Sequence, residues 1–131
     1  IQARKKLTDE WRARGSETDK EYAILTSEMT KAWSGKTVRE YKELKGLKKE
    51  SLRDNMTDIE LALNMLAEVT TTAISKQEKP ETFEESRKIA RDGGAVAKDA
   101  LRSVEKRLGK SVISPLNAND VDLLTTQKKE D

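Results

Sequence analysis

A threonine followed three residues later by a glutamate occurs four times in this chain of 131 residues. The pairs are Thr18 with Glu21, Thr37 with Glu40, Thr57 with Glu60, and Thr82 with Glu85. In such a capping box, the threonine hydroxyl and the glutamate carboxylate accept hydrogen bonds from backbone N–H groups that a helix start leaves without partners. The spacing therefore predicts four helix starts.

Glycine and proline mark where the predicted helices end. A glycine that can adopt the left-handed conformation follows each of several helical runs, at Gly15, Gly35, Gly46 and Gly109, and Pro80 follows another. The patterns predict six helices, at residues 3–14, 19–34, 38–45, 58–76, 83–91 and 95–108. We expect the pair Gly93 and Gly94 to form a hinge between the last two helices.

The fourth predicted helix has the longest apolar pattern and is expected to be central in the core. Its apolar positions at helical spacing are Ile59, Ala62, Leu63, Leu66, Val69 and Ala73, with Thr70 beside them. No run of alternating β-branched residues is long enough to build a sheet. The chain is therefore predicted to be all-α, a compact bundle of about five to six helices over residues 1–116, followed by a polar and flexible tail at 117–131.

The composition excludes several classes of chemistry. The chain has no cysteine and no histidine, so thiol nucleophiles, zinc-thiolate sites and imidazole acids or bases are absent. We predict no catalytic residue, no metal site, no cofactor and no small-molecule substrate.

No apolar run approaches the roughly 20 residues of a membrane helix, so we expect no membrane contact and a cytoplasmic location. Because the chain begins at Ile1, we expect it to be a fragment of a longer protein.

Ser34, Gly35, Lys36 and Thr37 resemble the end of a phosphate-binding loop. That loop requires a glycine where this chain has Thr30, and a strand where the pattern here predicts a helix. A helix end followed by a capped helix start accounts for all four residues. We therefore expect no nucleotide site.

Basic residues cluster between positions 36 and 54. Seven basic residues stand there against four acidic ones, a net charge of +3, whereas residues 55–83 have two basic and five acidic residues, a net charge of −3. A phosphate backbone attracts such a cluster. The candidate nucleic-acid-binding residues are Lys36, Arg39, Lys42, Lys45, Lys48, Lys49 and Arg53. The alternative is an ordinary solvated helix face, since the whole chain carries only +2.

The aromatic residues are expected by default to pack in the core. Trp11, Tyr22, Trp33 and Phe83 lie within or beside apolar helical stripes. Tyr41 lies among the charged residues of the basic cluster. Tyr41 is therefore the one aromatic residue that is a candidate for a surface contact, although core packing is the default for it as well.

Several blocks of this sequence resemble the C-terminal half of prophage-type proteins that carry an N-terminal BRO domain. They include Ala32, Trp33, Ser34 and Gly35, together with residues 22–25, 41–50, 52–57, 83–85, 90–91, 93–94 and 109–112. More distantly, the blocks are similar to bacterial DNA-damage-inducible protein D. In that family the BRO domain is associated with DNA binding and antirepressor activity, and we expect this chain to be the part of such a protein that does not include it. The resemblance implies an accessory helical domain of a regulator.

Two functions from different classes follow. The leading hypothesis is a non-catalytic helical module of a prophage or DNA-damage-response regulator, which mediates protein association and adds contacts to a DNA backbone. The alternative is an oligomerisation or partner-binding domain without nucleic-acid contact. An enzyme ranks last, because it would need a carboxylate pair or an activated lysine in a cleft.

Overall fold

The structure is a computed structural model that describes residues 2–116. Its elements are α1 (Ala3–Ala13), α2 (Asp19–Ser34), α3 (Val38–Leu44), a 3-10 turn (Arg53–Asn55), α4 (Asp58–Glu78) and α5 (Phe83–Leu108). The all-α prediction is confirmed, with five α-helices and no strand in this part of the chain. The polar tail predicted at 117–131 lies outside the described residues.

The predicted capping box forms in full at three of the four predicted helix starts, and at the fourth only the threonine half forms. Thr18, Thr37 and Thr57 each form the reciprocal box with the glutamate three residues later. Thr82 accepts a hydrogen bond from the backbone N–H of Glu85, but the Glu85 carboxylate accepts from the N–H of Glu81 instead, at 2.8 Å. The capping groups of these four helices thus lie within one turn of each helix start, whereas α1 begins without a side-chain cap.

The predicted hinge at Gly93 and Gly94 is wrong, because α5 continues through both residues as one helix. A Cβ atom on Gly93 would lie 1.9 Å from Oγ1 of Thr71 in α4, and one on Gly94 would lie 2.5 Å from the carbonyl oxygen of Met29 in α2. The glycines therefore serve close packing. They allow the backbone of α5 to contact α4 on one side and α2 on the other.

The side of α4 that faces the core is largely polar, contrary to the predicted apolar stripe. Its buried residues are Glu60, Leu63, Asn64, Ala67, Glu68, Thr71, Thr72 and Ser75. Leu63 was predicted correctly. Of the other residues in the predicted stripe, Leu66 is only partly buried, while Ile59, Ala62, Val69 and Ala73 are exposed. The helix is rotated so that its polar side faces inward and much of its apolar stripe faces outward.

The other helices supply most of the large apolar side chains of the core. Trp11 of α1 and Trp33 of α2 are almost completely buried, as are Leu7, Leu25 and Met29. Asn64 of α4 meets this cluster by accepting a hydrogen bond from Nε1 of Trp33 at 3.3 Å. At this point the core combines an aromatic ring with a polar group that is paired to it.

Replacement of either packing glycine tests the close approach of α5. We expect Gly93→Ala and Gly94→Ala each to lower the free energy of unfolding by about 1–3 kcal/mol, because the added methyl group overpacks the contact. Alanine's better helix propensity, worth about 1 kcal/mol, would act in the opposite direction. Urea unfolding measures the free energy of unfolding, which reports the sum of the two effects.

The exposed Ala95 in the same helix provides the matched control. Ala95→Gly should cost about 1 kcal/mol, as propensity alone requires. If Gly93→Ala instead stabilised the chain, the close contact with Thr71 would be refuted.

Candidate interaction surfaces

Lys45, a predicted nucleic-acid contact, is buried inside the bundle. Its side chain has no exposed surface, and its Nζ donates to Oε1 of Glu60 at 2.7 Å. The same ammonium group donates to the carbonyl oxygens of Ser114, at 3.0 Å, and Leu116. A charge held in this way is not available to a phosphate backbone, so Lys45 does not belong to a surface site.

Tyr41 is also buried, so the candidate surface contact at this residue is wrong and the default of core packing holds. Its ring centroid lies 6.0 Å from that of Trp33, and its hydroxyl donates to Oε2 of Glu60. Burial, and after it the hydrogen bond and charge of Glu60, raise the pKa of Tyr41 far above that of a free tyrosine. Tyr41 is therefore a neutral donor in the core.

Glu60 connects these groups to the start of α4. Besides Lys45 and Tyr41, its carboxylate accepts the backbone N–H of Thr57 at 2.9 Å, as part of the capping box. One carboxylate thus satisfies a helix start, a buried ammonium and a buried hydroxyl. The sequence pattern predicted the capping role of Glu60 but not its role as the anion of the core.

Arg53 is paired as well. Its Nη1 lies 2.5 Å and 2.6 Å from the two carboxylate oxygens of Glu68, whose side chain is 2% exposed. Both Glu60 and Glu68 lie outside the segment in which the basic residues were counted. When Lys45 and Arg53 are set aside, five basic and four acidic residues remain between positions 36 and 54, and the net charge of the segment falls from +3 to +1.

The other five predicted residues lie at or near the surface. Lys48 and Lys49 are exposed in the loop after α3, Arg39 is exposed on α3, and Lys36 and Lys42 are partly buried. A shallow groove of about 510 Å³ between α2 and α3 brings together Arg39, Lys42 and Lys48. Glu43 also lines this groove and contacts Arg39 at 3.4 Å.

A second surface runs along the outward side of α4. It consists of Ile59, Ala62, Leu66, Val69 and Ala73, and we call it the α4 seam. Ile59 is 41% exposed and Val69 is 38% exposed, although both are large apolar side chains. The only charged residues between Asp58 and Lys76 are Glu60 and Glu68, which are both buried. The α4 seam is therefore an uncharged apolar strip on a chain in which 38% of residues are charged.

The spacing of the α4 seam is that of a coiled coil. Its positions are separated by three, four, three and four residues, the alternation of a and d sites in a heptad. Isolated apolar side chains on a surface are ordinary, whereas a contiguous apolar strip is a candidate contact surface. The apolar periodicity could be recognised from the sequence, but the side of α4 that it occupies could not.

Two further properties of residues 2–116 bear on function. No helix in this range combines the length and hydrophobicity that crossing a bilayer requires. Nor do acidic side chains in the same range form a group of three or more that could hold a metal ion.

Loss of Lys45 tests whether the buried pair supports the fold. We expect Lys45→Met to lower the free energy of unfolding by about 3–5 kcal/mol, since it leaves Glu60 as an uncompensated buried carboxylate. Adding Glu60→Gln should restore most of this loss, because it removes the buried charge, its carbonyl oxygen can accept from the N–H of Thr57, and its amide N–H can donate to the hydroxyl oxygen of Tyr41. Denaturant unfolding of both variants measures the difference.

The exposed Lys48 is the matched control for this experiment. Lys48→Met removes the same charge from the surface and should change stability by no more than about 0.5 kcal/mol. Equal effects of Lys45→Met and Lys48→Met would show that Lys45 is not held in a buried pair.

Comparisons of this chain with models of protein families, with curated proteins and with solved structures found no match. The resemblance to the C-terminal region of BRO-domain proteins therefore stays a prediction.

Proposed function

We propose that this chain is a non-catalytic association module in which α4 of one copy pairs with α4 of a second copy. The observation that carries the proposal is the α4 seam, an exposed apolar strip with heptad spacing and no charge. Burial of this strip against a partner would remove apolar surface from water. On the inner side of α4, Glu60, Asn64, Glu68 and Ser75 already have partners within the chain.

A second copy matches the α4 seam better than a charged partner would. A charged residue pressed against this strip would lose its hydration and find no opposite charge there. In an antiparallel pair centred between Leu66 and Val69, the numbers of two facing positions sum to 135, which places Ile59 opposite Lys76 at each end of the strip. Leu66 then faces Val69 of the second copy, and Ala62 faces Ala73. The larger side chains meet in the middle, and the alanines allow close approach on both sides.

The charges at the two ends of α4 support the same antiparallel arrangement. Asp58 precedes the α4 seam and Lys76 follows it, and both are exposed. Antiparallel pairing brings Asp58 of each copy towards Lys76 of the other. Parallel pairing would instead place like charges together at each end, which destabilises a pair. The contact is the same from both sides, as a two-fold dimer requires.

The pair should be weak if α4 is its whole interface. From Ile59 to Ala73 the helix rises by about 21 Å at 1.5 Å per residue. One helix face of this length is smaller than the roughly 800 Å² per partner of a standard specific interface. Association should therefore depend on concentration, and further domains of a longer protein could strengthen it through effective concentration.

The resemblance to BRO-domain proteins adds a biological setting to this proposal. If the chain belongs to such a regulator, pairing of α4 would bring two N-terminal BRO domains together. Two-fold proteins commonly recognise DNA sites with matching two-fold symmetry. In this setting the helical module acts by association, whereas recognition of DNA belongs to the other domain.

Self-association can be measured by analytical ultracentrifugation. Over concentrations on the order of 10 μM to 1 mM, a weak dimer should appear as a rise in average mass. Val69→Glu should abolish this rise, because it buries a charge opposite Leu66 of the second copy. Ala95→Glu adds the same charge at an exposed position of α5 and should leave the rise in average mass unchanged. A chain that is monomeric throughout this range would contradict the proposal.

Cysteine cross-linking tests the antiparallel orientation, and the chain offers no competing thiol. A mixture of Ala62→Cys and Ala73→Cys chains should form mixed disulfides under mild oxidation, whereas each variant alone should form few. Parallel pairing predicts the reverse, with each variant cross-linking to itself. That outcome would contradict the antiparallel register even if dimers form.

Contact with a DNA backbone is the second candidate function. It is favoured by the groove between α2 and α3, where Arg39, Lys42 and Lys48 come together with only Glu43 opposing them. Phosphate contacts of this kind release counterions and weaken as salt rises. This role is compatible with pairing of α4, since none of the residues of the groove belongs to α4.

Titration with a short DNA duplex tests the groove. At about 50 mM salt we expect weak binding that decreases as salt is added. Arg39→Gln with Lys48→Gln should weaken binding and reduce the salt dependence by about one counterion per lost contact. The exposed pair Lys5→Gln with Lys88→Gln is the charge-matched control and should have less effect. Absence of binding at low salt, or equal effects of the two double variants, would exclude this role.

A further inference from the structure

A cavity of about 290 Å³ opens among α1, α2, the 3-10 turn and α4. Met29, Leu52 and Met56 give it an apolar wall. It is distinct from the α4 seam, whose residues do not line it. Its size is close to the lower end of sites that hold small organic molecules.

Three basic side chains from different parts of the fold line this cavity. Arg4 comes from α1, Lys42 from α3 and Arg53 from the 3-10 turn. Glu68 is the only carboxylate in the lining, and Arg53 already contacts both of its oxygens. With three positive charges and one negative charge, the lining carries a net charge of +2.

Arg4 contributes a positive charge that the described chain does not neutralise. Among residues 2–116 no carboxylate lies within the 4.0 Å of an ion pair with Arg4, and its guanidinium lies 5.3 Å from the ring centroid of Trp11. Burial lowers the pKa of Arg4; the carboxylate of Glu68 opposes this effect, and the charge of Arg53 adds to it. A guanidinium nevertheless remains protonated at neutral pH.

We propose that this cavity binds a small molecule with a phosphate or carboxylate group, held by Arg4 and Lys42. The planar guanidinium of Arg4 can donate two parallel hydrogen bonds to such an oxyanion, and the ammonium of Lys42 supplies a second positive charge. The apolar wall would contact the rest of the molecule. An anion in this place balances charges that otherwise remain partly desolvated beside one another.

The negative charge of the ligand should be required for binding, and an apolar part should increase the affinity. Inorganic phosphate provides the charge alone, whereas benzoate provides a carboxylate on an apolar ring. Benzamide has nearly the shape of benzoate without its charge. Binding is measured for the three probes by calorimetry and by thermal unfolding, with sodium chloride added to keep the ionic strength equal.

We expect saturable binding of phosphate or benzoate, and no comparable binding of benzamide. Arg4→Met should weaken anion binding by roughly tenfold or more, the loss expected for a charge-assisted hydrogen bond. Lys42→Met should weaken it as well, and it serves as the second variant if Arg4→Met folds poorly. Lys48→Met removes a surface charge outside the cavity and should leave affinity within about twofold.

Three outcomes would overturn the assignment. The first is the absence of saturable binding for both anions. The second is an Arg4→Met chain that folds and binds them as well as the unaltered chain does. The third is binding that depends on Arg4 for a short DNA duplex but not for phosphate or benzoate, which would assign these cations to a polymer backbone instead of a small molecule.

Discussion

Polar residues on the inner side of α4 bind partners from every other part of the bundle except α5, and this arrangement fixes how the helix is rotated. Because a buried polar group without a partner costs free energy, α4 cannot turn about its axis without losing several hydrogen bonds at once. The pairs are Glu60 with Lys45 and Tyr41, Asn64 with Trp33, Glu68 with Arg53, and Ser75 with Glu10.

The outward apolar strip on α4 follows from this rotation. The indole and phenol rings of the core, from Trp11, Trp33 and Tyr41, come from α1, α2 and α3, so α4 need not provide its own apolar stripe to fill the interior. Among residues 2–116 nothing covers Ile59, Ala62, Val69 and Ala73, which are left facing outward. An amphipathic helix usually indicates its buried side by its apolar residues. In α4 the paired polar groups decide that side instead.

The predicted basic cluster carries less unpaired positive charge than its sequence indicates, because glutamates from outside the segment pair with two of its residues. Lys45 and Arg53 contributed two of seven positive charges, yet each pairs with a glutamate fifteen residues further along the chain. Arg4 was not among the candidates, because it lies in a different helix from the cluster. It nevertheless lines the same cavity as Lys42 and Arg53. Tertiary contacts thus pair Lys45 and Arg53 with glutamates, and they place Arg4 beside the cavity that Lys42 also lines.

The sequence by itself determined where most helices begin and end, since capping boxes and glycine ends such as Gly35 act within a few residues. It also determined the all-α class and the absence of thiol and imidazole chemistry. Only the tertiary structure decided the continuity of α5, the inward side of α4 and the burial of Lys45. The physical reason is that Gly93 packs against Thr71, and Lys45 pairs with Glu60, across distances along the chain that no local pattern encodes.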